Sequence, residues 1–208
     1  RTPLASIKAS VSSLRQKDVS WTDESIEEFL ATIEEETDRL TTLVGNLLDM
    51  SRLQAGAVQT VFQPVGLEEV VGKALATLRE RGRSVEVNVP ESLPRVRADP
   101  SLLERAIANL VDNAITWSPP GKGVRLDAAS HQERIVMRVV DQGPGISEEE
   151  RSRVLQPFQR GNHARSGSGA GLGLAVAKGF IETMDGRLVL TETPGGGLTA
   201  LISFEATA

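Results

Sequence analysis

Between Ile26 and Leu47 apolar side chains recur in steps of four and three. They are Ile26, Leu30, Ile33, Leu40, Val44 and Leu47, with Thr37 in the one remaining position. A sustained heptad repeat of this kind is satisfied by a long helix packed on another helix. Thr22 stands where an N-cap belongs, Asp23 and Glu24 complement the helix dipole, and Trp21 can staple onto Ile26. The helix is expected to run to Ala55, with Gly56 as its terminator. A shorter helix precedes it. Leu4, Ile7, Val11 and Leu14 have helical spacing, Pro3 is tolerated near a helix start, and Gln16 to Ser20 reads as a polar turn. Each helix of a hairpin buries one stripe on the other, yet Phe29, Leu43 and Leu48 widen the apolar face of the second. A second copy, giving a four-helix bundle, would bury the excess. Packing on the chain's own C-terminal part is the other way to cover it.

After Gly56 the pattern changes, and a domain boundary is expected between 1–56 and 57–208. Leu67 to Arg81 is helical and Ser84 to Val89 alternates as a strand. A loop from Pro90 leads to Asp99, which caps a helix with Pro100 at its first position that runs to about Thr116. Gly123 to Ala129 and Arg134 to Asp141 are strands, and Ser147 caps a short helix from Glu148 to Leu155. Residues 157 to 168 read as a mobile loop, Ala170 to Asp185 as a helix. Arg187 to Glu192 and Leu198 to Phe204 are strands joined by Pro194-Gly195-Gly196-Gly197. This alternation lacks βαβ regularity and fits an α+β sandwich, one mixed sheet under about three helices.

Bulk properties exclude several classes of function. A net charge of −5 offers nothing to nucleic acid, and 3% aromatic content without tyrosine argues against a stacking surface for single strands. There is no cysteine, hence no disulfide or thiolate metal site. No apolar run is long enough to cross a bilayer. The chain begins at Arg1 without Met and is expected to be a fragment, any membrane-anchored or sensory part lying outside it.

Three segments carry candidate chemistry. Asn109 and Asn113 are four apart on one helix face, with Asp112 on an adjoining one, and such oxygen ligands suit Mg²⁺ bound jointly with substrate phosphates. They equally suit satisfied core amides. Strand Arg134 to Val140 ends in Asp141-Gln142-Gly143-Pro144-Gly145-Ile146, a carboxylate that can accept from a ligand amine while the backbone closes round a flat ring, or an ordinary tight turn. Gly167-Ser168-Gly169-Ala170-Gly171-Leu172-Gly173-Leu174 opens a helix, so its N–H groups and the helix dipole can seat phosphate; the run also suits a flexible loop. Its spacing matches neither G-x-x-x-x-G-K-[ST] nor G-x-G-x-x-G.

In this order the three segments resemble the N, G1 and G2 boxes of the GHKL (Bergerat-fold) nucleotide-binding domain. Pro157-Phe158-Gln159-Arg160 looks like the F box of sensor histidine kinases, and Arg1-Thr2-Pro3-Leu4 like the tail of their H box, H-[ED]-[LF]-R-T-P-L. Leu4-Ala5-Ser6-Ile7-Lys8 and Leu47-Leu48-Asp49-Met50-Ser51-Arg52-Leu53 look most like the potassium-responsive Kdp-type sensor kinases. The resemblance implies a dimerisation and phosphotransfer hairpin followed by a Bergerat-type α/β sandwich that binds ATP. Such a protein is the cytoplasmic core of a membrane-anchored bacterial kinase. It passes the γ-phosphoryl of ATP to a hairpin histidine, then to an aspartate on a response-regulator receiver domain, with possible phosphatase activity and a potassium or osmotic stimulus.

Carried over by position, Asn113 with Asn109 would hold Mg²⁺ on the ATP phosphates. Asp141 would read the adenine amino group, with Gly143 and Gly145 leaving room for the base and Thr199 supporting the aspartate. Gly169, Gly171 and Gly173 would bring the backbone to the phosphates, residues 157 to 168 would form a lid poorly ordered without nucleotide, and Arg160 would neutralise charge. Trp117, Lys122, Ile146, Phe158 and Leu172 complete the expected nucleotide contacts, and Thr2 would help position water in dephosphorylation. Three departures stand out. The phosphoacceptor histidine would lie before Arg1, since only His131 and His163 are present. Thr116 stands where a basic residue is usual and Trp117 where tyrosine or phenylalanine is usual. Leu155 replaces the first phenylalanine of the F box. The competing readings are a GHKL ATPase of the gyrase type, which would need a glutamate at Asn109, and a non-catalytic ATP-binding dimer module.

Overall fold

Thr22 ends the loop before the long helix in an extended conformation, and its hydroxyl accepts from the Ser25 N–H at 3.2 Å. In the computed structural model, which describes residues 2–80, 85–161 and 170–206 without the side chains of Thr2 and residues 77–80, this cap starts α2, Asp23–Gln54. Ala55 and Gly56 (φ +61°) end it, as the glycine signal predicts. α1, Thr2–Leu14, packs antiparallel along it. The turn is pinned by Trp21, whose indole N–H donates to the Ser13 carbonyl at 3.0 Å. Its ring meets Phe29 edge-on at 5.0 Å, an aromatic contact one turn beyond Ile26.

The remaining elements are β1 Gln63–Val65, α3 Leu67–Glu80, β2 Val85–Asn88, β3 Val96–Ala98, α4 Pro100–Trp117, β4 Val124–His131, β5 Arg134–Val140, α5 Glu148–Val154, α6 Gly173–Thr183, β6 Arg187–Glu192 and β7 Leu198–Glu205. Five strands form one sheet in the order β2-β4-β5-β7-β6, antiparallel except for the β2–β4 pair. Alternate residues Leu126, Ile135, Met137 and Ile202 point to the helix layer and are at most 2% exposed. α4 lies across them and also contacts α3 and α6. The mixed sheet under about three helices is therefore as expected. Two short strands were not: β1 and β3 pair antiparallel, Gln63 opposite Ala98. At three residues each they are too short to show a period, and the expected β run at Val61-Phe62 lies just ahead of β1. α6 begins at Gly173, not Ala170, because Gly171 has φ +71°, which no helix contains. Ser147 occupies the cap position of α5, but its hydroxyl donates to Glu150 Oε2 at 3.0 Å instead of capping.

The two ways of covering the wide face of α2 are divided along its length. At its C-terminal end Asp49 is buried in an ion pair with Arg105 of α4, Met50 is 6% exposed, and Leu53 packs at Gly179 of α6. Arg105 also lies 5.3 Å from the Phe180 ring centroid. Further up, Leu30, Val44, Leu47 and Leu48 remain exposed.

Asp99 joins these parts. One carboxylate oxygen accepts from Ser101 N–H (3.0 Å) and Leu102 N–H (3.1 Å) at the start of α4, the other from Val61 N–H at 2.8 Å in the connecting segment. Asp99→Ala is expected to lower unfolding free energy by about 2 kcal/mol, the loss of a helix cap plus a buried acceptor. Urea denaturation measures it; a loss smaller than about 0.5 kcal/mol, the scale of an indifferent surface change, would refute this role.

Candidate nucleotide site

β5 delivers Asp141 to the edge of the helix layer, 4% exposed. Its Oδ1 accepts from the Gly143 N–H at 2.8 Å and the Leu198 N–H at 2.9 Å, and its own N–H donates to the Leu198 carbonyl at 2.9 Å. Both donors converge on one oxygen, and Oδ2 carries no hydrogen bond from the described residues. Burial raises the Asp141 carboxyl above its ordinary range, and the two backbone N–H groups oppose that in part. A buried carboxylate with one oxygen fixed and the other without a partner among the described residues has the chemistry to accept from a ligand donor.

The turn after Asp141 rests on the end of α4. Gly143 lies against the Trp117 carbonyl, and Gln142 N–H donates to Ser118 Oγ at 3.4 Å. Gly145 faces the Gly197 carbonyl, and Ile146 packs against the core. One face of α4 is buried through Leu103, Ile107, Leu110 and Val111. That burial rolls Asn109 and Asn113 to its half-buried edge, while Asp112 and Thr116 are exposed. Asn109 Oδ1 lies 3.5 Å from where a Gly173 side chain would begin, so the Asn face and the first residue of α6 are neighbours.

The glycine segment is stitched to Phe158 and Gln159. Phe158, 60% exposed at φ +63°, donates its N–H to the Gly171 carbonyl at 2.9 Å. Gly171 sits in the left-handed region, where a Cβ would stand 2.6 Å from the Gln159 carbonyl oxygen. Only glycine fits there. Arg160 is exposed beside this junction, and Lys122 is exposed on the loop after α4.

Other expected residues are placed differently. The Leu172 side chain is 2% exposed in the core, which leaves its backbone alone for a ligand. Thr199 does not support Asp141 through its hydroxyl: that hydroxyl pairs with Thr193 at 2.9 Å, and the support comes from the N–H of Leu198 next to it. Thr116, where a cation is usual, donates back to the Asp112 carbonyl at 2.8 Å. Thr2 begins α1, its side chain outside the description, and Gly169, His163 and the 162–168 part of the lid lie outside the described residues. Leu198, Ser118 and Thr193 were not singled out from sequence. Their parts are played by backbone groups or by pairing with residues distant in the chain, and no local pattern marks them.

Residues 98–208 match the histidine kinase-, DNA gyrase B-, and HSP90-like ATPase family, and residues 1–56 match the His Kinase A (phospho-acceptor) domain. The chain is 43% identical over 214 residues to Sensor protein KdpD of Mycobacterium tuberculosis (strain ATCC 25618 / H37Rv), covering 99% of this chain and 24% of that protein. The crystal structure of full-length ShkA in complex with AMPPNP is similar at TM-score 0.70 and 28% identity, over 100% of this chain and 44% of that one. A mycobacterial sensor histidine kinase MprB structure gives TM-score 0.62 and 32% identity, over 69% of this chain and 98% of that one.

The raised Asp141 carboxyl has a consequence for stability. An acid whose folded pKa lies above its unfolded value stabilises the fold fully at low pH, and that contribution is lost as pH rises through the folded pKa. Asp141→Asn keeps an acceptor for both N–H groups without the buried charge. Its thermal midpoint is expected to equal or exceed the parent's at pH 7, with the advantage disappearing toward about pH 4, the ordinary carboxyl range. A variant clearly less stable than the parent at pH 7 would contradict the assigned electrostatics.

Proposed function

The chain belongs to the sensor histidine kinases of the histidine kinase-, DNA gyrase B-, and HSP90-like ATPase family, and on that premise we propose that it binds Mg-ATP and serves as the kinase core of a two-component system. The observation that carries this reading is the convergence of the Asn109–Asn113 edge of α4, the first residue of α6 and the Asp141 turn around one end of the sandwich. Asp141 Oδ2 would accept from the adenine amine. The start of α6 and the Gly171–Gly173 backbone would face the phosphates with N–H groups and the positive end of a helix dipole. The Asn109 and Asn113 carboxamide oxygens suit Mg²⁺, and among the described residues no group of three or more His, Cys, Asp or Glu could hold a metal by itself. The phosphates themselves would complete the ion's ligands. Bound there, Mg²⁺ would neutralise phosphate charge.

Residues 1–56 would act as the dimerisation and phosphotransfer hairpin and 57–208 as the catalytic domain. The γ-phosphoryl would leave ATP for an imidazole nitrogen of a hairpin histidine and then pass to a carboxylate of a response regulator. The protein's task is alignment and charge neutralisation. A gyrase-like water activation is disfavoured, because Asn109 cannot take a proton. Thr2, on the first turn of α1, would serve a phosphatase step. The likeness to KdpD, of which the chain spans 24%, and to Kdp-type wording supports a potassium or osmotic input. No helix among the described residues is long and apolar enough to cross a membrane, so anchoring would come from outside this chain.

Mg-ADP is expected to bind with micromolar affinity by calorimetry. Asn113→Ala should weaken it about tenfold or more, the scale of one lost charge-assisted contact, and the difference should vanish when Mg²⁺ is chelated. No heat with the parent chain would sink the nucleotide reading; equal losses with and without Mg²⁺ would sink the role of Asn113.

The exposed stripe of Leu30, Val44, Leu47 and Leu48 on α2 is assigned to a second copy, completing a four-helix bundle. Sedimentation is expected to show twice the 22.3 kDa chain mass, and Val44→Glu to return the monomer. A monomeric parent at high concentration would rule the bundle out.

A further inference from the structure

Thr193 lies behind the Asp141 turn and belongs to none of the motifs above. It follows β6 and opens a connection, Pro194 to Gly197, whose three glycines all have positive φ: 89°, 104° and 110°. Such a segment has little stiffness of its own, so its position depends on what holds its ends. The Thr193 carbonyl accepts from the Gly196 N–H at 2.9 Å, and the Thr193 N–H donates to the Gly197 carbonyl at 3.2 Å. The far end lies directly on the site: a Cβ on Gly197 would stand 2.1 Å from the Asp141 carbonyl oxygen. The next residue, Leu198, is the one bonded to Asp141 in both directions.

The near end is held by side chains. Thr193 and Thr199 are 8% and 7% exposed, and their hydroxyls lie 2.9 Å apart. Buried hydroxyls are tolerated when they are hydrogen-bonded, here with one donating to the other. Thr199 is also registered across the sheet with Val140, the residue before Asp141. The hydroxyl pair thus clamps the glycine connection across its base, between the end of β6 and β7, the strand whose Leu198 donates to Asp141.

We propose that Thr193 is a positioning residue for base selection. Its hydroxyl, paired with Thr199, fixes the β6–β7 connection and so the Leu198 N–H that holds Asp141 Oδ1, leaving Oδ2 aimed at an exocyclic amine. The proposal rests on the reading of Asp141 as the base-recognition carboxylate. Without the pair, the connection shifts and Asp141 loses its orientation, while the phosphate end of the site, built on α4 and α6, is untouched.

The test compares Mg-ADP with the Mg²⁺ complex of purine riboside 5′-diphosphate, which has the adenine ring without its amine, by calorimetry on the parent, Thr193→Val, Thr193→Ser and Asp141→Asn. Thr193→Val is expected to weaken ADP about tenfold and the amine-free analogue by less than about twofold, on the scale of one misplaced hydrogen bond. Thr193→Ser should match the parent on both. If Thr193→Val binds both ligands like the parent, or weakens both by the same factor, the proposal is overturned and the pair merely stabilises the turn. Thr193→Ala is judged by the same ratio and decides the matter if the valine variant does not fold. If Asp141→Asn leaves the ADP-to-analogue ratio at the parent value, the base-recognition reading fails instead, and the proposal falls with it.

Discussion

Burial of one stripe of α4 governs most of what lies around it. Leu103, Ile107, Leu110 and Val111 are at most 2% exposed between the sheet and the other helices. Each contributes roughly 1.5–3 kcal/mol on leaving water, and the four together outweigh any single hydrogen bond in the site. The polar groups therefore do not choose their own positions. Packing sets the rotation of α4, and the rotation sets Asn109 and Asn113 on the edge that meets α6. The same helix ends at Trp117 and Ser118, on which the Asp141 turn is seated. Nearly every part of the candidate site is thus attached to one helix whose position is decided by apolar contact.

The electrostatics are spare for a site expected to hold phosphate. The chain is net negative, and the position where a cation is usual holds Thr116, turned back onto its own helix. In the proposed site, attraction would come from N–H groups at the start of α6, from a helix dipole, from Arg160 and Lys122, and from a metal bound with the nucleotide. At the other end the balance is reversed. Asp141 is held in an environment that disfavours its charge, with two N–H groups directed at one oxygen. On the proposed reading, that arrangement would trade fold stability for an acceptor that meets a ligand donor, as functional sites often do.

Much of this was legible in the chain because the relevant signals are local. The Thr22 and Asp99 caps, the Gly56 stop, the heptad of α2 and the i, i+4 placement of Asn109 and Asn113 each act within a few residues, and each is found where the pattern puts it. The resemblance to the nucleotide boxes supplied the order. What escaped was long-range. The β1–β3 pair needs residues 63–65 to meet 96–98, and Asp141 needs residue 198. The Asp49–Arg105 pair joins residues 56 apart. Thr199 is informative on this point: its position was readable, but its hydroxyl partner depends on how a glycine turn closes, which no period in the sequence encodes.

The docking of the α2 end on α4 and α6 makes the catalytic part sensitive to rotation of the hairpin. α2 has 32 residues, about 48 Å at 1.5 Å per residue, and its last turns are shared with the layer that carries the site. Successive residues on a helix point about 100° apart. A turn of α2 by one such step would carry Leu53 away from Gly179 and Met50 out of the same groove, and present the exposed Ser51 and Gln54 in their place. The contact therefore works like a key with few permitted angles. A twist applied at the far end of the rod is resisted, or it releases the catalytic part altogether, and little lies between.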